Sequence, residues 1–194
     1  RLGAALKGLP RGMYRLVTKA GTRWRMGMAE KDFSPDGVRR SLEESLRRLN
    51  TDYVDVLLLH GPTTQPFNVT MAEAAAQWKA EGLIRAIGVS SRGDEIIFAI
   101  KAGFGDVIQA PVFGRASDGR LWADITDRLG VGFLGIEALR DAAGGMRPLR
   151  SAADLFHVAR AFRQGRIGPA RDVEASLRAA LALSARAFEA AHVQ

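Results

Sequence analysis

The sequence predicts an α/β protein built on a parallel sheet that is covered by helices. Three observations carry this reading. Short β-type runs alternate with helical patterns over about the first 140 residues. The runs are almost continuously apolar, as strands buried on both faces are. Polar residues recur where the runs end, at Lys19, His60, Ser90 with Ser91, and Gln109. The connections suit either a doubly wound sheet or a (β/α)8 barrel, and periodicity does not choose between them. The polar strand ends favour the barrel, because there they share the one rim on which barrel enzymes place their chemistry. In an open sheet they would spread along an edge, with a pocket only at the switch point.

Each element has its own local reason. Residues 14–18 form a short strand ending at Lys19, and a glycine-containing loop is expected after it. Ser34-Pro35-Asp36 starts a helix with a capping hydroxyl, a proline in the first turn and an acid near the positive end of the dipole. Val38, Leu42, Leu46 and Leu49 then make one buried stripe. Residues 54–59 are a strongly apolar strand ending at His60, and residues 71–80 a helix with an alanine-rich face and Trp78. Residues 84–89 form the next strand, ending at Ser90 and Ser91, and residues 94–102 the next helix. Val107-Ile108 leads to Gln109, residues 119–129 are helical, and residues 131–136 form a fifth strand. Beyond Ser151 only helical patterns remain, at 152–163 and 172–191.

The 194 residues include no cysteine, which excludes a disulfide scaffold, a cysteine-containing metal site and thiol catalysis. No apolar run approaches the roughly 20 residues needed to span a bilayer. A soluble, cytoplasmic protein that works without a membrane is therefore expected. The net charge of +7 could mark a nucleic-acid binder or an anion site. The arginines, however, are scattered over helices and often stand four residues from an acid, as in Glu43–Arg47 and Glu44–Arg48. With no basic run and no aromatic stacking motif, nucleic acid is not expected, and an anionic small ligand stays open.

Several motifs have ordinary explanations. Gly130-Val-Gly132-Phe-Leu-Gly135 has the letters of the dinucleotide fingerprint, but its glycines follow a helix and enter a strand, the reverse of the required context. Asn68-Val-Thr70 has the letters of a glycosylation sequon. His157 and His192 lie in helical patterns without ligand spacing, so no metal site is expected. Lys19 and His60 each have a structural reading: a lysine leaving the core toward water, and a packed histidine beside an apolar run.

Taken together, Leu16-Val-Thr-Lys19-Ala-Gly21, the stretch Arg40 to Leu49, the stretch Thr51 to His60, the stretch Lys79 to Ser90, and Val107-Ile-Gln109 resemble the aldo-keto reductases. The resemblance runs in order to about residue 140, while residues 141–194 are mostly helical and weakly matched. It implies a TIM (β/α)8 barrel of aldo-keto reductase type, incomplete here with five recognisable strands, and a single domain over residues 1–194. It also implies reduction of a small carbonyl substrate to an alcohol by NADPH, with NADH possible as cofactor. Lys19 and His60 match the family's catalytic lysine and histidine. Ser90 matches the serine that holds the nicotinamide carboxamide, Gln109 the glutamine beside it, and Ser91 replaces the usual asparagine. Glu137, Ala138 and Leu139 fall where the loop after the seventh strand touches the pyrophosphate. In the implied reaction a tyrosine protonates the carbonyl oxygen, the lysine lowers the tyrosine's pKa, and the histidine orients the carbonyl.

The chain departs from the family pattern in two places. The family's catalytic aspartate and tyrosine fall upstream of the position of Arg1, and neither Tyr14 nor Tyr53 takes the tyrosine's place. The eighth strand is not recognisable around residues 180–188. Five β/α units do not close an eight-stranded barrel. The expectation is that these residues are the ordered part of a longer chain, with a fragment completed by a partner or a degenerate relative as alternatives. The rival functional reading is a catalytically silent nucleotide-binding scaffold or regulatory subunit.

Overall fold

The computed structural model describes residues 2–26, 28–63, 66–111 and 125–137. The expected helices at 152–163 and 172–191, and His157 and His192, lie outside them. The chain divides into two compact units, the larger formed by residues 1–110 with 126–134. That unit contains nearly all of the described residues.

Its centre is a five-stranded sheet in the order β1 (Val17–Ala20), β4 (Val54–His60), β5 (Ile84–Ser90), β6 (Val107–Pro111) and β7 (Gly132–Ile136). β1 pairs with β4, β4 with β5 and β5 with β6, all in parallel. Parallel neighbours need crossovers, which carry α2 (Pro35–Leu49), α3 (Val69–Ala80) and α4 (Glu95–Lys101). A short helix α1 (Leu2–Leu6) and a 3-10 turn at Arg11–Met13 precede the sheet.

Sequence and packing agree closely at α2. Ser34 caps it by accepting from Gly37 N, Pro35 fills the first turn, and Asn50 ends it in the left-handed conformation with φ 54°. Val38, Leu42 and Leu46 are buried against the sheet, and Leu49 is half-buried. Leu57, Leu58 and Leu59 of β4 are fully buried, so this strand is the spine of the core. Met71, Ala75 and Trp78 of α3 and Ile96 and Ala99 of α4 complete it. Asn68 of the sequon caps α3, accepting from Met71 N at 3.0 Å. The Gly130–Gly135 stretch enters β7 rather than opening a helix, as its context requires.

Two features hold the strands in register. Asp106 accepts from Ile87 N at 2.8 Å, while its own N–H donates to Ile87 O at 2.7 Å. Beside this link a Cβ at Gly88 would run into the carbonyl oxygen of Val107, so only glycine lets β6 start so close to β5. At the start of β4, the carboxylate of Asp55 accepts from Leu16 N at 2.8 Å and from Arg11 NH2 at 2.7 Å. Arg85 and Arg15 stand 3.4 and 3.7 Å from its other oxygen. The guanidinium groups of Arg11 and Arg85 stand 3.9 and 4.5 Å from the ring centre of Tyr53.

The structure corrects the sequence reading in three places. The segment after Lys19, expected as a loop, is an antiparallel hairpin of β2 (Thr22–Arg25) and β3 (Met28–Lys31). Met26, which follows β2, has φ 50°, the positive-φ geometry that suits the strands' twist. β1 begins at Val17 because the preceding residues are taken up by the 3-10 turn and by Leu16, whose carbonyl accepts from Asp55 N and Val56 N. Lys19 therefore lies within β1, and Gln109 within β6, while His60 and Ser90 do end their strands. On α2, Glu44 pairs with Arg48 as expected, but Glu43 pairs with Arg39, one turn back.

Candidate active site

His60, Ser90 and Gln109 form one register row across β4, β5 and β6: His60 pairs with Ser90, and Ser90 with Gln109. Residues paired across parallel strands face the same side of the sheet. Lys19 pairs with Leu58, two residues before His60, and alternate residues of a strand share a face. Lys19 thus joins the same side one pleat lower, and its four-carbon stem carries the ammonium up to the row. Its Nζ donates to Ser90 Oγ at 2.9 Å, and Ser90 Oγ donates to Gln109 Oε1 at 2.9 Å. The sequence placed these four residues together, and so does the structure.

Ser90 and Gln109 are buried, at 4% and 8% exposure, whereas Lys19 on β1 is exposed. Its head is nonetheless desolvated against Ser90, and this, with the nearby charge of Arg92, lowers the ammonium's pKa. His60 is half-buried. Burial first, and then the charges of Lys19, Arg92 and Lys31, push its pKa below the usual 6.5. It is a neutral imidazole at pH 7, able to donate or accept one hydrogen bond without carrying charge.

Ser91 takes a different direction. Its Oγ donates to Glu95 Oε2 at 2.9 Å in the first turn of α4, while its N–H donates to Gln109 O at 3.1 Å. Glu137 follows β7 with φ 59° and belongs to the second unit. Ala138 and Leu139 lie outside the described residues.

Three contributors were not singled out from the sequence. Thr22 Oγ1 donates to His60 O at 2.7 Å, and Lys31 Nζ donates to Gly61 O at 2.8 Å, so the β2–β3 hairpin clasps the end of β4. Arg92 follows Ser91 and bears on both Lys19 and His60. The hairpin's signal in the sequence was weak, because Met28-Ala29-Glu30-Lys31 is not a β-favouring run and no Asn-Gly or Asp-Gly pair marks the turn. Both tyrosines stand at the other end of the strands: Tyr14 precedes β1, and Tyr53 precedes β4 with its hydroxyl accepting from Arg85 at 2.9 Å.

The site can therefore offer an ammonium, a neutral imidazole and a buried hydroxyl–carboxamide pair on one side of the sheet. The last pair combines one donor with one acceptor, the complement of a primary amide.

Comparison with known proteins identifies the family. The model of the Aldo/keto reductase family matches residues 1–110. The NADH-specific methylglyoxal reductase of Escherichia coli K12 is 35% identical over 136 residues, covering 62% of this chain and 42% of that protein. A D-threo-aldose 1-dehydrogenase from a Pseudomonas species is 32% identical over 139 residues, covering 59% of this chain and 42% of that protein. Among solved structures, the holo form of an aldo-keto reductase from Bacillus halodurans superposes with a TM-score of 0.63 at 26% identity, covering 92% of this chain and 71% of that one. The matches to these two curated relatives span less than half of each relative's length. The five-stranded parallel sheet is part of a (β/α)8 barrel, and the chain belongs to the aldo/keto reductase family.

Proposed function

We propose that the protein takes part in NAD(P)H-dependent reduction of a small carbonyl compound to an alcohol, with Ser90 and Gln109 holding the nicotinamide carboxamide. The observation that carries the reading is the buried Ser90–Gln109 pair, 2.9 Å apart, in the same row as His60 and in contact with Lys19. A carboxamide fits it: its oxygen would accept from Ser90 Oγ, and its N–H would donate to Gln109 Oε1. The bound cofactor would supply a hydride to the carbonyl carbon. Neutral His60 would orient the carbonyl and donate to the oxygen as negative charge develops there. Lys19, with its ammonium at the row, would favour ionisation of a neighbouring phenol. NADPH is the first expectation from the family. The NADH-specific relative in Escherichia coli makes NADH a real alternative.

One observation favours a second reading. These 194 residues contain two tyrosines, and both sit at the far end of the strands, so the described residues bring no phenol to the row. The second reading is a nucleotide-binding scaffold with little turnover, whereas the reductase reading requires a phenol from outside these residues. Titrating the full-length protein with NADPH and NADH by nicotinamide fluorescence, and then adding a reactive aldehyde, separates the readings. Consumption of cofactor that falls in Lys19→Met and His60→Ala supports the reductase. Tight binding with no consumption supports the scaffold, and no binding of either nucleotide refutes both.

A further inference from the structure

We propose that Lys19 is also a positioning residue for the cofactor: through its hydrogen bond to Ser90 it orients and polarises the hydroxyl that receives the nicotinamide carboxamide. The inference rests on the reading that Ser90 and Gln109 hold the carboxamide.

The direction of the chain follows from what each group can do. An ammonium has donors only, and a serine hydroxyl has one proton and two lone pairs. With Lys19 Nζ at 2.9 Å, Ser90 Oγ must accept, and its single proton is turned away from Lys19. Gln109 Oε1 lies 2.9 Å away on the other side and takes that proton. Both groups are buried, so water competes poorly for either. The order is therefore fixed as Lys19 to Ser90 to Gln109.

A primary carboxamide can enter this chain without breaking the bond to Lys19. Its oxygen takes over the Ser90 proton, and its N–H replaces that proton at Gln109 Oε1. Ser90 continues to accept from the ammonium, and each bond in such a series strengthens the next in a low-dielectric setting. Without Lys19 the hydroxyl still donates to Gln109 Oε1 but loses the cation that fixes its acceptor side, and its donor is weaker. β1, which among the described residues pairs with β4, is thereby tied across β4 to the cofactor end of β5.

The test compares calorimetric dissociation constants of the full chain for three ligands: NADPH, its 3-acetylpyridine analogue, and 2′-phospho-ADP-ribose. The analogue keeps the carbonyl oxygen but lacks the amide N–H, and the third ligand lacks the ring altogether. Reduced nicotinamide is uncharged, so loss of the lysine charge acts mainly through Ser90. Lys19→Met is expected to weaken NADPH and the analogue about three- to fivefold, the effect of losing one polarising partner. It should leave 2′-phospho-ADP-ribose unchanged, and Lys19→Arg, which keeps a cationic donor, should restore most of the loss. In a Ser90→Ala background, Lys19→Met should do nothing further.

Equal losses for all three ligands would reduce Lys19 to a general structural role and overturn the inference. So would an undiminished effect of Lys19→Met in the Ser90→Ala background. If Ser90→Ala weakens NADPH while Lys19→Met does not, the carboxamide reading survives and this inference alone fails. Wild-type protein that binds NADPH no tighter than 2′-phospho-ADP-ribose would remove Ser90 and Gln109 from the nicotinamide site and overturn both.

Discussion

Replacing Asp55 by alanine should destabilise the protein more than any change at the candidate site. The carboxylate is 5% exposed and accepts from Leu16 N at 2.8 Å and Arg11 NH2 at 2.7 Å. Alanine leaves the buried Leu16 amide without its acceptor, at about 1–3 kcal/mol. It also removes the anion facing Arg11, Arg15 and Arg85. That second loss is smaller than for a sealed ion pair, because Arg15 and Arg85 are largely exposed and Arg11 keeps its bond to Tyr14 O at 2.9 Å. The sum is about 2–4 kcal/mol, or roughly 5–15 °C in Tm for a chain of this size. Acid should act on the same contact. Burial alone would raise the Asp55 pKa, but the Leu16 amide and the arginines outweigh it and hold it below the usual 3.8. The stabilisation is therefore complete above about pH 4 and is lost as pH falls through the lowered pKa. Circular dichroism melts of wild type and Asp55→Ala from pH 7 to 2.5 would read both effects. A drop in Tm of less than about 2 °C at pH 7, or equal acid sensitivity of the two proteins, would refute the reasoning.

Gly88→Ala should lower stability by about 1–3 kcal/mol, since the new methyl group meets the backbone carbonyl of Val107 and not a side chain that can turn aside. An unchanged urea midpoint would show that β6 can withdraw. His60 gives a second, separate pH window: its folded pKa lies below 6.5, so its contribution is complete above that pH and is lost as pH falls through the folded value. Tm measured between pH 8 and 5 should fall less in His60→Gln than in wild type, and parallel curves would contradict this. Gln109→Leu should weaken NADPH binding by about 1–2 kcal/mol, the loss of a buried bond to a neutral group. An unchanged fluorescence titration would take Gln109 out of the site.

The parts legible in the sequence were those with local chemistry. Ser34, Pro35 and the Val38–Leu42–Leu46 stripe specify α2 without reference to the rest of the molecule, and the apolar run of β4 has only one place to be buried. The row of polar residues was legible because strand order and parallel pairing convert positions in sequence into positions on one side of a sheet. What was not legible depended on long-range contact. Thr22 and Lys31 gain meaning only when the hairpin meets the carbonyls of His60 and Gly61. Asp55 sits in an apolar strand, where its four partners, from Arg11 to Arg85, could not be read from spacing. Ser91 matched a family position, yet its hydroxyl turns to Glu95, because the first turn of α4 offers it a charged acceptor.

The most direct measurement is a crystal structure of the chain with bound NADP+. The carboxamide oxygen is expected within hydrogen-bond distance of Ser90 Oγ and its nitrogen within that distance of Gln109 Oε1. The ring should lie beside His60, and Lys19 should still be bonded to Ser90. A nicotinamide ring seated away from Ser90 and Gln109, with the adenosine end bound, would contradict the assignment of this row as the cofactor's reactive end.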